Sequence, residues 1–176
     1  MNAESPRGED AVLVAVQSVL AGRPGVLTGA RTLSHFGEHS AGWVGVSVLG
    51  ALLQPARRRA WLTAGIGAFL AHAAAVVIKR VVRRKRPNHP AISVNVGTPS
   101  QLSFPSAHAT STTAAAILLG RVTGLPLPWI LVPPMALSRL VLGVHYPSDV
   151  LTGVVVGAAV AQSVDAVSHR TAKAQP

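Results

Sequence analysis

The sequence contains no cysteine and few acidic residues, and both shortages restrict what the protein can do. Without cysteine, the chain has no disulfides, no thiolate metal sites and no cysteine nucleophile. Charged residues make up only 12% of the chain, whereas an average soluble domain contains about 25%. Because apolar residues make up 49% of the chain, this deficit of charge indicates a membrane protein.

The charge that is present is mostly positive, with 16 basic against 6 acidic residues and a net charge of +10. Such an excess suits either anionic lipid head groups or nucleic acid. The basic residues cluster at the ends of apolar segments, and only 4% of the chain is aromatic and able to stack on bases. The pattern therefore favours membrane lipid and a phosphate-bearing lipid as partners, and predicts no nucleic acid.

Several long segments lack Asp, Glu, Lys and Arg, and they cover residues 40–56, 60–78, 87–120, 122–138 and 150–164. A membrane-spanning helix needs about 20 predominantly apolar residues, so most of these segments are near the lower limit. Residues 87–105 carry five Pro or Gly residues among polar ones, which indicates an ordered loop. Pro105 and Ser106 then form a helix start signal.

These segments predict an all-α integral membrane helical bundle with about five to six membrane helices. We expect an N-terminal tail and an amphipathic interfacial helix in residues 1–25, the membrane domain in residues 26–169 and a C-terminal tail in residues 170–176. Gly153, Gly157 and Ala161 give the last span a small-residue face. That face predicts close packing within the chain or, alternatively, a homodimer.

The first polar motif is Lys79-x6-Arg86-Pro87. If the second span continues to Pro87, then Lys79, Arg83 and Arg86 share one helical stripe about two turns long. Cations on one face that enter a polar loop suit a multiply charged anion, and arginine can bind phosphate oxygens with two donors. A basic flank that meets acidic lipid is the alternative interpretation.

The second motif, Pro105-Ser106-Ala107-His108, places a histidine in the first turn of a helix. The free backbone N–H groups and the dipole at such a helix start attract anions. Ser106 can cap the helix or donate to a phosphate.

The third motif begins with Ser138-Arg139, near the end of an apolar span, where a charge is costly and suggests function. His145 and Asp149 follow, around a turn between two spans. Asp149 can hold one ring nitrogen of His145 and leave the other as a nucleophile, or it can simply cap the last helix. Because successive spans alternate in direction, all three motifs are expected at one face of the membrane.

Together, these motifs resemble the type 2 phosphatidic acid phosphatase family between Lys79 and Asp149. The resemblance implies a helical membrane phosphatase that needs no metal or other cofactor. The roles that it implies are phosphate binding by Lys79, Arg86, Ser106, Ala107 and Arg139, nucleophilic attack by His145 with Asp149 as its partner, and acid catalysis by His108. The family usually has glycine at the position of Ala107, and a positive φ at that position would alter the phosphate site.

The chain length and the stretch from Val26 to Asp149 further resemble a branch of the family that acts on a polyprenyl-linked ribose 5-phosphate for cell-wall arabinan synthesis. Within the loop, Asn88, His89 and Asn95 are candidates for head-group contacts. The alternative substrates are undecaprenyl diphosphate and phosphatidylglycerophosphate, and the alternative class is a non-catalytic lipid-phosphate binder. The distribution of Lys and Arg favours a multi-pass cell-membrane protein with its site on the extracytoplasmic face.

Overall fold

The computed structural model describes residues 5–173, and it is all-α. The helices are α1 Gly8–Leu20, α2 Val26–Gly37, α3 Ala41–Leu53, α4 Arg58–Val82, α5 Ala107–Thr123, α6 Leu127–Val141 and α7 Pro147–Lys173. Short 3₁₀ turns at Glu38–Ser40 and Pro55–Arg57 join α2 to α3 and α3 to α4. The predicted all-α class is therefore confirmed.

Helix α5 is the centre of the bundle and packs against α4, α6 and α7. Its buried positions are mostly Ala, Ser and Thr, which let neighbouring helices come close. A Cβ atom on Gly157 of α7 would lie 2.3 Å from the Thr110 carbonyl oxygen, and one on Gly153 would lie 2.8 Å from the Ser106 carbonyl oxygen. The small-residue face of α7 is thus occupied by α5 of the same chain, so it is not available for a dimer.

The outer surface of the bundle is apolar. Large hydrophobic side chains are exposed on several helices, including Leu53 (71%), Val81 (77%), Trp129 (83%) and Val155 (68%). A monomeric soluble protein rarely exposes so much contiguous apolar surface. Together with the length of the apolar helices, these exposed side chains are typical of a membrane protein.

The helices differ in length from the predicted spans. Within residues 5–173, two helical segments are long and apolar enough to cross a membrane, Pro55–Val82 and Pro147–Thr171, with mean hydropathies of 1.8 and 1.7. Helices α3, α5 and α6, the other predicted spans, have 13, 17 and 15 residues and are shorter than a typical spanning helix. Helix α7 also continues to Lys173, past the predicted boundary at residue 169, while residues 1–4 and 174–176 of the predicted tails lie outside the described residues.

The predicted loop is confirmed, because no helix lies between Val82 and Ala107. This loop folds back on itself through one antiparallel bridge between Lys85 and Leu102. The Ser103 amide donates to the Arg84 carbonyl at 2.8 Å, and the Arg86 amide donates to the Gln101 carbonyl at 3.2 Å. The two ends of the loop are therefore held together where α4 ends and α5 begins.

Candidate active site

A cavity of about 440 Å³ lies where α2, α4, α5, α6 and the loop meet. Six of the predicted site residues line it: Lys79, Arg86, Ala107, His108, Arg139 and His145. The other two principal residues, Ser106 and Asp149, are completely buried beside the lining. The fold thus brings residues from all three motifs together at one end of the bundle.

The geometry of the first motif differs from the prediction. Helix α4 ends at Val82, and Arg83 caps it in the left-handed region with φ 54°. Lys79 is therefore on the helix, whereas Arg86 reaches the cavity from the loop, and the predicted continuous stripe does not form. The physical reason is tertiary: residues 84–86 pair with residues 101–103 and so leave the helical path.

Lys79 is bound firmly by the loop. Its ammonium group donates to the carbonyl oxygens of Leu102, Ser103 and Pro105 at 3.0, 3.1 and 3.1 Å. These three bonds match the three donors of an ammonium group. Lys79 thereby holds the start of α5 against the end of α4 and supplies positive charge to the cavity wall.

Arg86 connects the loop to the turn that carries His145. Its Nε donates to the Ser100 carbonyl at 2.8 Å, and its Nη1 donates to the Val144 carbonyl at 2.6 Å. The same Nη1 lies 3.3 Å from Nε2 of His145. Because a guanidinium nitrogen can only donate, Nε2 of His145 accepts in this contact.

Arg139 is only 1% exposed and bonds to neutral groups. Its guanidinium donates to Ser138 Oγ at 3.1 Å, to Ser34 Oγ at 3.0 Å and to the Ala30 carbonyl at 3.4 Å. These contacts tie α6 to α2. Within the described part of the chain, no carboxylate lies within 4.0 Å of the charged nitrogens of Lys79, Arg86 or Arg139.

Three cations without carboxylate partners line one cavity, and this arrangement suits a multiply charged anion. Burying a charge without a counter-ion is costly, so such groups are stable only with compensating interactions. The carbonyl and hydroxyl bonds provide part of that compensation. A phosphate dianion would provide the remainder through charge-assisted hydrogen bonds.

The second motif forms the N-terminus of α5, as predicted. Ser106 is the N-cap, and its Oγ accepts from the Ala109 amide at 3.4 Å. The Ser106 amide donates to the Asp149 carbonyl at 2.9 Å, which joins the starts of α5 and α7. Among residues 5–173, the only non-glycine residues with positive φ are His39, Ser40 and Arg83, so Ala107 has the negative φ that alanine adopts easily.

His108 lies in the first turn of α5 and faces α2. Its Nε2 lies 2.9 Å from the Ser34 carbonyl oxygen. Since a carbonyl only accepts, Nε2 carries the proton. A Cβ on Gly37 would lie 2.8 Å from Cδ2 of His108, so a glycine at the end of α2 is required for the ring to occupy this position.

His145 lies in the turn between α6 and α7 and is 3% exposed. Since its Nε2 accepts from Arg86, the proton of the neutral ring is on Nδ1, which lies 3.6 Å from Oδ2 of Asp149. This separation is an electrostatic contact and is too long for a good hydrogen bond. Burial lowers the pKa of His145 to about 3, and the charges of Arg86 and Lys79 act in the same direction, so the ring is neutral at physiological pH.

Asp149 has a partner that the sequence did not reveal. Its Oδ1 accepts from Nη1 of Arg84 at 3.0 Å, and its Oδ2 accepts from the Tyr146 amide at 2.8 Å. The Arg84 guanidinium also lies 4.1 Å from the centre of the Tyr146 ring. Arg84 thus fixes the carboxylate from the side that does not contact His145.

Glu9 of the N-terminal helix completes this arrangement. It accepts from Arg84 Nη2 at 2.5 Å and from the Ser148 amide at 2.8 Å. Although burial opposes the effect, the hydrogen bonds from Arg84 and Ser148 lower the pKa of Glu9, and the two carboxylates raise the pKa of Arg84. The acidic start of α1 is the signal that could have suggested an ionic contact, but its partner lies 75 residues away.

The three loop residues predicted to contact a head group do not line the cavity. Asn88 is exposed, His89 accepts from the Ala91 amide, and the Asn95 side chain donates to the carbonyls of Ser93 and Val141. The loop lines the cavity instead with Leu102 and with residues 96–100, which follow Asn95 directly. A second stretch that sequence reasoning left without a role, at the end of α2, also lines it through Ser34, His35, Glu38 and His39.

Comparison with known proteins shows the family to which the chain belongs. The profile of the PAP2 superfamily matches residues 60–171. The chain is 79% identical over 150 residues to a decaprenylphosphoryl-5-phosphoribose phosphatase of Mycolicibacterium smegmatis, which covers 85% of this chain and 83% of that protein. It is 70% identical over 167 residues to the protein of the same name from Mycobacterium tuberculosis, which covers 95% of this chain and 94% of that protein.

Two solved structures share the fold. A transmembrane PAP2-type phosphatidylglycerolphosphate phosphatase from Bacillus subtilis superposes with a TM-score of 0.70 at 20% identity, covering 91% of this chain and 86% of that chain. Aquifex aeolicus LpxE superposes with a TM-score of 0.63, also at 20% identity, covering 88% and 92%. The profile match, the two close relatives and the shared membrane fold lead to one conclusion: this chain belongs to the PAP2 superfamily.

Proposed function

We propose that the protein is a metal-independent membrane phosphatase that removes the 5-phosphate from decaprenylphosphoryl-5-phosphoribose and releases decaprenylphosphoryl ribose. The substrate is supported by 70% to 79% identity to the two mycobacterial phosphatases over most of the chain. The chemistry is supported by a cavity whose lining includes His108, His145 and the cations Lys79, Arg86 and Arg139, which have no carboxylate partner among residues 5–173. The product would enter the synthesis of cell-wall arabinan.

In this mechanism, Nε2 of His145 attacks the phosphorus atom. The Nε2–P bond forms as the bond from phosphorus to the ester oxygen breaks. His108 must be an imidazolium at this point; it donates one ring proton to the leaving oxygen and becomes neutral. Water then attacks the phosphohistidine and gives up a proton to His108, and inorganic phosphate is released. The support for this direction of attack is that the Nε2 lone pair of His145 is directed toward Arg86, on the cationic wall.

The remaining residues would stabilise charge. Arg86 and Arg139 bind the phosphoryl oxygens, with the Ala107 backbone amide and the Ser106 hydroxyl as further donors. Lys79 attracts the phosphate by its charge, and a direct bond would replace one of its three bonds to loop carbonyls. Asp149 stabilises the positive charge that develops on the His145 ring and keeps the Nδ1–H tautomer. A non-catalytic binder would need the cations but would need neither a neutral, buried histidine nor the carboxylate behind it.

We further propose that the short helices α3, α5 and α6 cross the membrane with α4 and α7, because α5 is surrounded by the other membrane helices. Helix α1 would lie at the interface on the side of the cavity, since Glu9 bonds to residues of the site. The basic residues at the N-terminus therefore belong to the cavity end, together with residues 80–85. The basic residues at the cavity end and those at the opposite end then balance one another. The distribution of Lys and Arg therefore no longer favours one side of the membrane for the site.

The proposal is tested by measuring phosphate release from a panel of lipid phosphates in excess EDTA, with wild type and His145→Ala. The panel contains decaprenylphosphoryl-5-phosphoribose, undecaprenyl diphosphate, phosphatidylglycerophosphate and phosphatidic acid. We expect wild type to act best on the ribose lipid in the presence of EDTA, and His145→Ala to lose at least about 10³-fold in kcat. The His169→Ala protein, changed at an exposed histidine of α7, is the control and should retain full activity.

Full activity in His145→Ala would disprove the phosphohistidine mechanism. Phosphate release from another lipid but not from the ribose lipid would disprove the proposed substrate, although the protein would still be a phosphatase. Folded wild-type protein that binds vanadate but releases no phosphate from any lipid would leave the non-catalytic binder as the function.

A further inference from the structure

The cavity has a second chemical region besides its cations. This region is formed by the end of α2 and the following turn, with His35, Glu38 and His39, and by α4, with His72. We call these four residues the imidazole wall. The cavity volume of about 440 Å³ corresponds to roughly fifteen water molecules at about 30 Å³ each. A phosphate group has only five heavy atoms, so the cavity has room for a further part of the ligand.

Position along α4 separates the two regions. His72 precedes Lys79 by seven residues on the same helix, which is about two turns and roughly 10 Å of rise. The two side chains share a face of the helix, and both line the cavity. If α4 crosses the bilayer as proposed, with Lys79 near the cavity end, His72 lies deeper in the membrane than Lys79. A ligand whose phosphate is bound at Lys79 and whose lipid is in the bilayer would pass the imidazole wall.

The turn that carries His39 is strained. His39 and Ser40 both have left-handed φ values, 50° and 62°, although neither is glycine. Such conformations persist only where the surroundings enforce them, and they are often found at ligand sites. Here the Ser40 hydroxyl donates to the Ala68 carbonyl of α4 at 3.2 Å, and the His39 ring lies 5.7 Å from the His72 ring. The strained turn therefore places His39 next to His72.

One polar atom of this pair has no partner. Nδ1 of His72 is buried and makes no hydrogen bond to any described residue. Buried polar atoms are nearly always hydrogen-bonded, so this unpaired nitrogen is unusual and leaves the cavity-lining His72 with hydrogen-bonding capacity that the described residues do not use. Neutral imidazoles offer one donor and one acceptor each, and the Glu38 carboxylate offers acceptors. This combination suits hydroxyl groups, which both donate and accept, and the Glu38 charge disfavours an anion.

We propose that His39 and His72, with Glu38 at the rim, form a subsite for the hydroxyl groups of the sugar that carries the scissile phosphate. This inference rests on the proposed function and adds to it the residues that select a sugar head group. The cations would hold the phosphate, while the imidazole wall would distinguish a ribose from a head group that has fewer hydroxyls.

The test is a binding experiment that requires no turnover. Affinities of ribose 5-phosphate and of inorganic phosphate are measured by titration in detergent micelles for the otherwise wild-type protein, His72→Phe, His39→Asn and the His169→Phe control. All four proteins carry His145→Ala, so that ribose 5-phosphate is not hydrolysed. Phenylalanine keeps a planar ring without nitrogen, and asparagine tolerates the left-handed backbone of residue 39. We expect the otherwise wild-type protein to bind ribose 5-phosphate about tenfold more tightly than phosphate, as one or two hydrogen bonds would produce.

His72→Phe should lose that tenfold preference while its affinity for inorganic phosphate changes less than twofold, and His39→Asn should reduce the preference. The control should behave as the otherwise wild-type protein. An absence of preference in that protein, an unchanged preference in His72→Phe, or an equal loss for both ligands would each overturn the subsite. Because binding is measured directly, these results are independent of whether the protein hydrolyses the proposed lipid.

Discussion

Two groups of charged residues lie side by side at the cavity end of the bundle, and they differ in how their charge is balanced. The first group is Lys79, Arg86 and Arg139, which bond to carbonyl and hydroxyl oxygens. Among the described residues, no carboxylate forms an ion pair with them. Arg84, in contrast, bonds to two carboxylates, those of Glu9 and Asp149. A buried cation without a carboxylate partner requires a ligand that balances its charge. A cation that is already paired with carboxylates can instead hold neighbouring residues in position. Charge balance therefore separates the residues that should bind phosphate from those that should position the catalytic groups.

The largest effect is expected where the two groups meet, at Asp149. The change Asp149→Asn keeps the side-chain shape but removes the charge that faces both Nδ1 of His145 and Arg84. We expect kcat to fall by about 10³–10⁴-fold, because the tautomer of His145 and the charge on its ring are no longer controlled. The dissociation constant of vanadate should change less than about threefold. Unchanged turnover would remove Asp149 from the mechanism.

The next largest effect should come from removing one unbalanced cation. In Arg139→Leu, the loss of one or two charge-assisted hydrogen bonds to phosphate predicts a decrease of about 10²–10³-fold in kcat/KM and weaker vanadate binding. The matched control is Arg121→Leu on α5, because Arg121 is half exposed and paired with Asp165 at 2.8 Å. Such a surface pair contributes little, so this control should keep its activity. Equal activity of the two variants would contradict the role assigned to unbalanced charge.

A smaller effect is expected from the balanced arginine. Arg84→Ala should lower kcat about tenfold and leave the vanadate affinity unchanged, since Arg84 contacts Asp149 and not the cavity. Arg84→Lys should recover part of this loss because it restores a positive charge beside the carboxylate. Lys85→Ala, at the exposed neighbouring residue, is the control for lost positive charge. A weakened vanadate affinity in Arg84→Ala would instead assign Arg84 to phosphate binding.

The smallest effect concerns Glu9 and depends on pH. The hydrogen bonds from Arg84 and Ser148 lower the pKa of Glu9 below its ordinary 4.5, so its stabilisation is complete above pH 4.5 and is lost as pH falls through the lower, folded-state pKa. The difference in thermal stability between wild type and Glu9→Gln should therefore be full at pH 7 and should shrink progressively as the pH falls below 4.5. A difference that does not depend on pH would show that the carboxylate charge is not involved.

Much of this protein could be predicted from the linear sequence. The apolar segments, the proline-rich loop and the helix start at Ser106 depend on local composition, so the residues alone are enough to locate them. The motif spacing and the alternation of spans likewise predicted that His108, Arg139 and His145 would meet. Helix lengths were less predictable, because α7 extends beyond its apolar part in both directions, α3 ends before residue 56 and α6 begins after residue 122.

The tertiary structure decided what depends on contacts between distant segments. Local spacing placed Arg86 on a helix, but its pairing with residues 100 and 101 moved it into the loop. The Arg84 contacts with Glu9 and Asp149, and the strained turn that brings His39 to His72, join residues far apart in the chain. Composition determined the membrane bundle and spacing determined the catalytic motifs, because both act over a few helical turns. Only folding could determine which cations keep an unbalanced charge, because that depends on which carboxylates the packed helices bring near.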